Sequence, residues 1–112
     1  MAKLSAQQLV QMARQAGYHV AGVEKLRPNR WLLTLTDAGG ATIALLVQAR
    51  PLVTAADVQD LAEIVRVRSL DRGILLAYSG HFSPNAQRTC TELDERLLLC
   101  TSLPPAARES SR

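Results

Sequence analysis

The stretch that decides the fold is Ala41-Thr42-Ile43-Ala44-Leu45-Leu46-Val47-Gln48-Ala49-Arg50-Pro51. Its central apolar run predicts a buried strand, which ends at Pro51 because proline donates no hydrogen bond to a sheet. Side chains of a strand alternate between its two faces, so we expect Gln48 and Arg50 to leave the sheet on the same side. Polar side chains at the end of a buried strand are typical of a functional site in an α/β protein.

Length and composition exclude several classes of protein. The chain has 112 residues, of which 47% are hydrophobic. This is enough for one modest core and too apolar for a disordered chain. No apolar run could span a membrane, and glutamines interrupt the N-terminal segment where a signal peptide needs its apolar region. We therefore expect a cytoplasmic protein with no membrane contact.

The charge and the cysteines narrow the choice of partner. The 13 basic and 10 acidic residues give a net charge of +3, and bases outnumber acids in the strand-rich first half. The bases there are Lys25, Arg27, Arg30 and Arg50. This segregation favours an anionic partner such as DNA. The two cysteines are too few for a disulfide framework and lack metal-ligand spacing.

Hydrophobic periodicity and turn residues predict the order α-β-β-β-α-β-α-β. The predicted helices cover residues 5–16, 54–70 and 83–94, and the strands 18–26, 30–36, 41–50, 73–78 and 96–101. The tight turn after Asp37 makes strands two and three antiparallel, and the helix after strand three makes strand four parallel to it. We expect a single domain over residues 1–101 and a disordered C-terminal tail over residues 102–112.

Three segments in this order resemble the catalytic domain of Mrr-like type IV restriction endonucleases, members of the PD-(D/E)xK nuclease superfamily. The segments are Gly17-Tyr18-His19-Val20, Leu46-Val47-Gln48-Ala49-Arg50, and the run from Gly73 to Ala86. The resemblance covers about residues 5–101. It implies a restriction-endonuclease-like α/β fold, with a mixed central sheet flanked by helices.

In that family, an aspartate on the second strand and a Gln/Glu-x-Lys pair on the third hold Mg²⁺ at a phosphodiester, often with a glutamate from the first helix. The resemblance assigns Gln48 and Arg50 as degenerate counterparts of this catalytic pair. Arg50 keeps the positive charge of lysine and can hold a phosphate, but it is a poor proton acceptor. The first helix has no matching acid.

The register of the hairpin determines where the missing aspartate would lie. A turn centred near residue 39 makes the numbers of facing residues sum to about 79, so Gln48 is predicted to face Trp31. The expected aspartate then falls at Leu32 or Leu33, which are apolar. Asp37 lies at the far end of the hairpin, roughly 20 Å from Gln48. No metal site or cofactor is therefore expected, and Mg²⁺ enters only if the domain is an active nuclease.

Each of these residues also has an ordinary structural interpretation. Gln48 and Arg50 would be solvated or ion-paired groups at a strand end, and Asp37 a turn residue. Trp31 is expected in the core or in an interface. The acids of the second predicted helix, Asp57, Asp60 and Glu63, are expected to form a solvated face.

Three functions remain open at this point. The first is an inactive nuclease-like domain that binds DNA, or regulates a DNA-processing system, through Arg50, Arg30, Lys25 and His81. The second is a protein-interaction or homodimerisation module on the same scaffold. The third is an active Mg²⁺-dependent endonuclease in which Asp37 or Glu24 has replaced the missing acid.

Overall fold

The computed structural model describes residues 5–27, 29–93 and 96–106. The helices are α1 (Ala6–Gln15), α2 (Ala55–Val67) and α3 (Pro84–Leu93). The strands are β1 (His19–Arg27), β2 (Arg30–Thr36), β3 (Thr42–Gln48), β4 (Leu52–Val53), β5 (Arg72–Ala77), β6 (His81–Phe82) and β7 (Leu97–Cys100). No helix among these residues is long and apolar enough to cross a membrane.

Five of the strands form one mixed sheet in the order β1-β2-β3-β5-β7. The first three strands pair antiparallel, whereas β3, β5 and β7 run parallel to one another. The predicted order of the main elements is confirmed. β4 and β6 form an additional parallel pair, where the prediction had only connecting segments. Two residues are too few to carry a periodic signal, so the sequence could not reveal them.

Alternation along the strands builds a hydrophobic core on each face of the sheet. Leu33, Leu45 and Leu76 face α1, whereas Leu32 and Leu46 face α2 and α3. All five are nearly or fully buried. The helices therefore flank the sheet on both sides, and both leucines at the predicted aspartate position are core residues.

The register of the β2–β3 hairpin differs by one residue from the prediction. Arg30, not Trp31, faces Gln48, and the residue numbers of facing positions sum to 78. The reason lies in the turn, where the Asp37 N–H donates to the Ala41 carbonyl at 3.1 Å and so centres the reversal on residue 39 itself. A slip of one residue exchanges the faces of a strand. The error therefore hid a charged residue beside Gln48.

Part of the segment predicted as a disordered tail packs against the link between α1 and β1. The Tyr18 hydroxyl donates to the Pro104 carbonyl at 3.0 Å, and the Ala106 N–H donates to the Ala16 carbonyl at 2.8 Å. Residues 102–106 are therefore anchored to the body of the domain. The rest of that segment, residues 107–112, lies outside the described residues, as do Pro28 of the predicted turn and Asp94 of the third predicted helix.

Candidate functional site

Four polar side chains meet where β3 ends and α2 begins. The set comprises Arg30, Gln48, Asp57 and Asp60, and is called the charged cluster below. Gln48 is fully buried, and its Nε2 donates to Asp57 Oδ1 at 2.7 Å. Arg30 Nη2 donates to the same Oδ1 at 2.9 Å and to Asp60 Oδ2 at 2.8 Å. One guanidinium thus bridges two carboxylates of the helix.

Asp57 holds this position because of how α2 begins. Thr54 precedes the helix in an extended conformation, and its N–H donates to Asp57 Oδ2 at 2.9 Å. This is one half of a capping box, which turns the carboxylate back toward the chain that enters the helix. The expectation of a solvated face is wrong for Asp57, whose side chain is only 9% exposed. It is correct for Glu63, and Asp60 is half-exposed.

Two atoms of the charged cluster are left without a partner among the described residues. They are Gln48 Oε1, an acceptor, and Arg30 Nε, a donor. Buried polar atoms in native proteins are nearly always hydrogen-bonded. The charged cluster therefore keeps one acceptor and one donor available for a further hydrogen bond.

A cavity of about 480 Å³ opens beside the charged cluster. It is lined by Arg27, Asn29, Arg30, Gln48, Arg50, Thr54, Ala56, Asp57 and Asp60. Three arginines against two aspartates leave a net charge of +1. Arg27 and Arg50 are exposed and have no ion-pair partner within the described ranges. These two, called the arginine pair below, are the cations available to a ligand.

Two of the four predicted DNA contacts line the cavity, and the other two lie elsewhere. Arg30 and Arg50 both line the cavity, but Arg30 already binds two carboxylates. Lys25 Nζ lies 5.2 Å from the ring centroid of Trp31, whose side chain belongs to the core on the opposite face of the sheet. His81 lies on β6, where its N–H donates to the Pro51 carbonyl, and it does not line the cavity.

Sequence reasoning missed Arg27, Asn29 and Asp57 as residues of this site. Arg27 ends β1 and Asn29 lies in the link between β1 and β2, and this region comes close to the end of β3 only in the folded sheet. The Ala49 N–H donates to the Asn29 carbonyl at 2.8 Å and holds that link beside Arg50. For Asp57, the capping pattern with Thr54 was the available signal.

The residues of the charged cluster do not fit Mg²⁺. The ion needs oxygen ligands with free lone pairs. Asp57 Oδ1 accepts from Gln48 and Arg30, its Oδ2 accepts from Thr54, and Asp60 Oδ2 accepts from Arg30. Within the described residues, no group of three or more His, Cys, Asp or Glu side chains is placed to hold a metal.

The two acids considered as replacement ligands are engaged elsewhere. Glu24 pairs with Arg68 at 2.7 Å, and this hydrogen bond lowers the pKa of the Glu24 carboxyl. Asp37 Oδ1 accepts the Gly39 and Ala41 N–H groups, and Oδ2 pairs with Arg72 at 2.7 Å. Asp37 is thus the turn residue that its position suggested, with an added ion pair.

Comparison with known proteins identifies the fold. No protein-family model matches the sequence, and no curated protein matches it significantly. Among solved structures, a repair endonuclease from Pyrococcus abyssi matches with a TM-score of 0.66 and 19% identity, over 94% of this chain and 49% of that chain. EndoMS in its apo form matches with a TM-score of 0.64 and 20% identity, over 96% of this chain and 49% of that one.

A third match is EndoMS in complex with dsDNA, with a TM-score of 0.61 and 22% identity. It covers 96% of this chain and 49% of the EndoMS chain. The chain therefore spans about half the length of the endonuclease chains that it resembles. The mixed sheet flanked by helices is the restriction-endonuclease-like fold of these repair endonucleases.

Proposed function

We propose that this domain binds DNA through the arginine pair and does not cleave it. The observation that carries the proposal is the pair itself, two exposed arginines without ion-pair partners within the described ranges, at one cavity beside the end of β3. Arginine binds phosphate oxygens through two parallel hydrogen bonds. Its charge also displaces the counterions that surround DNA. The proposed ligand is a backbone phosphate, so binding would depend little on base sequence.

The backbone around the cavity supports a fixed spacing between the two arginines. The hydrogen bond from Ala49 to Asn29 ties the segment that carries Arg50 to the link that follows Arg27. A fixed spacing reduces the entropy lost when a ligand binds. DNA is favoured as the source of the phosphate because one matching structure is EndoMS in complex with dsDNA.

The absence of cleavage is inferred from the charged cluster. Asp57 and Asp60 are engaged by Arg30, Leu32 and Leu33 belong to the core, and Arg50 replaces the expected lysine. A guanidinium cannot accept a proton from an attacking water near neutral pH. These features leave the described part of the domain without the metal ligands and the proton acceptor that metal-dependent hydrolysis needs.

Fluorescence anisotropy with a labelled DNA duplex tests the proposal. We expect Arg50→Ala and Arg27→Ala each to weaken binding for all duplex sequences, and each to reduce the slope of log K against log[salt] by about 1. The matched control is Arg14→Ala, an exposed arginine on α1, on the opposite face of the sheet. Incubation of the same duplex with the protein and Mg²⁺ or Mn²⁺ should yield no products.

Two results would count against the proposal. The first is no detectable DNA binding even at low salt. The second is equal binding by the Arg50→Ala, Arg27→Ala and Arg14→Ala variants. Cleavage that depends on Mg²⁺ and is lost in Gln48→Ala would instead establish an active endonuclease.

A homodimer or another protein partner is the second candidate function. Leu98 on β7 is 46% exposed and lies on the outermost strand of the sheet, so it offers an apolar contact. Trp31, also considered for such a surface, is 7% exposed and belongs to the core instead. Light scattering during size-exclusion chromatography tests this. A dimer that Leu98→Asp dissociates supports it, and a monomer at all concentrations excludes the homodimer.

A further inference from the structure

We infer that the Arg30 guanidinium is the resident cation of a cation site formed by Gln48, Asp57 and Asp60, and that this site takes a divalent cation only when the guanidinium is removed. Arg30 is then the main reason why the charged cluster does not fit Mg²⁺, because its guanidinium occupies an oxygen of both aspartates. This inference does not depend on DNA binding.

The position of Arg30 comes from the hairpin register. As the first residue of β2 it faces Gln48, the last residue of β3, and both side chains lie on the face that packs against α2. Its Nη2 contacts Asp57 and Asp60 at 2.9 and 2.8 Å, and its side chain is 14% exposed. A charge this buried must be matched by opposite charge to be tolerated. Arg30 and Asp57 are therefore mutually dependent, whereas Asp60 is a half-exposed second partner of the guanidinium.

The oxygens around Arg30 have the chemistry of ligands for a hard cation. Asp57 Oδ1 and Asp60 Oδ2 each accept from Nη2, so removal of the guanidinium frees an acceptor on each aspartate. Gln48 Oε1 adds a third oxygen, which is buried and has no donor among the described residues. Carboxylate and amide oxygens are the ligands that Mg²⁺, Mn²⁺ and Ca²⁺ prefer. The independent evidence for a site is the unpaired oxygen of Gln48.

The comparison of Arg30→Ala with the wild type tests this inference. We expect Arg30→Ala to lower Tm by roughly 10–20 °C, because two carboxylates and an amide lose their cation. Methylguanidinium at low millimolar concentration should raise the Tm of Arg30→Ala by several degrees, since it replaces the missing group. Mn²⁺ or Mg²⁺ should do the same through binding to the folded state. Neither should raise the Tm of the wild type.

Arg68→Ala is the matched control. Arg68 also makes two hydrogen bonds to a carboxylate, that of Glu24, but both partners are more than 40% exposed. Its removal should change Tm little, with no recovery by methylguanidinium or metal ions. The double variant Arg30→Ala/Asp57→Asn should lose the response to Mn²⁺, because one ligand is neutralised.

Three outcomes would overturn the inference. They are a Tm for Arg30→Ala equal to that of the wild type, a folded Arg30→Ala that responds to neither cation, and a wild type stabilised by Mn²⁺ as strongly as the variant. If Arg30→Ala does not fold alone, its refolding from denaturant is measured with and without methylguanidinium. Refolding only with the cation supports the inference, and no refolding in either condition contradicts it.

Discussion

Asp57 is the residue on which the charged cluster depends. Its two oxygens accept from Gln48, Arg30 and Thr54, which belong to β3, β2 and the entry to α2. A carboxylate that serves three elements at once cannot be replaced by a neutral side chain without leaving buried donors unpaired. The charged cluster therefore stabilises the fold and also borders the cavity of the proposed ligand site.

Substitution of Asp57 should therefore be costly. We expect Asp57→Ala to lower the free energy of unfolding by about 3–5 kcal/mol, because the Arg30 charge is left buried and uncompensated. Asp60→Ala is the comparison. It removes the other partner of Arg30, but the Asp60 side chain is 53% exposed, so its loss should cost about 0–1 kcal/mol. Urea denaturation of both variants measures the difference, and equal losses would contradict a central role for Asp57.

At the scale of elements, the short pair β4–β6 fixes the segment that carries Arg50. The Tyr78 N–H donates to the Gln48 carbonyl at 2.9 Å, and the His81 N–H donates to the Pro51 carbonyl at 3.0 Å. Gly80 lies between these bonds, and a Cβ atom there would stand 2.1 Å from the Arg50 carbonyl oxygen. The close approach requires glycine, because any side chain would push the two segments apart.

Gly80→Ala should displace Arg50 and weaken DNA binding. Two nearby carbonyl oxygens, of Arg50 and Pro51, belong to the backbone and cannot rotate away from the added methyl group. Gly22→Ala is the matched control, since nothing lies within 4 Å of the methyl group that it adds on β1. Anisotropy measures DNA affinity, and amide hydrogen exchange at His81 reports the backbone contact whether or not DNA binds. Unchanged exchange in Gly80→Ala would show that β6 does not position this segment.

At the scale of the whole molecule, the sheet divides the domain into a structural side and a site-bearing side. The face covered by α1 is a hydrocarbon core, extended by residues 102–106 of the C-terminal segment. The face covered by α2 and α3 is apolar along most of its length and carries the charged cluster where β2 begins and β3 ends. The site therefore lies at one end of a single layer between sheet and helices.

Most of the fold could be predicted from local patterns. The buried run of β3, the turn after Asp37 and the capping signal at Thr54 each depend on neighbours in the chain, and all three elements form where expected. Chain order together with the antiparallel and parallel pairings followed from connection lengths. The register of the β2–β3 pair was predicted wrongly by one residue, because it depends on the exact centre of the turn.

The site was predicted only in part, for the same physical reason. Gln48 ends β3, so its place at the end of a buried strand could be predicted from the local pattern. Arg50, predicted as part of the same strand, lies two residues beyond its end, and both residues line the cavity. Arg30 lies beside Gln48 because of the hairpin register, and Asp57 contacts Gln48 because α2 packs on the sheet. The sequence by itself determined the scaffold and the strand that ends in polar groups. Only the tertiary structure decided which charges meet there, because contacts between distant elements depend on registers that local patterns leave uncertain by a residue.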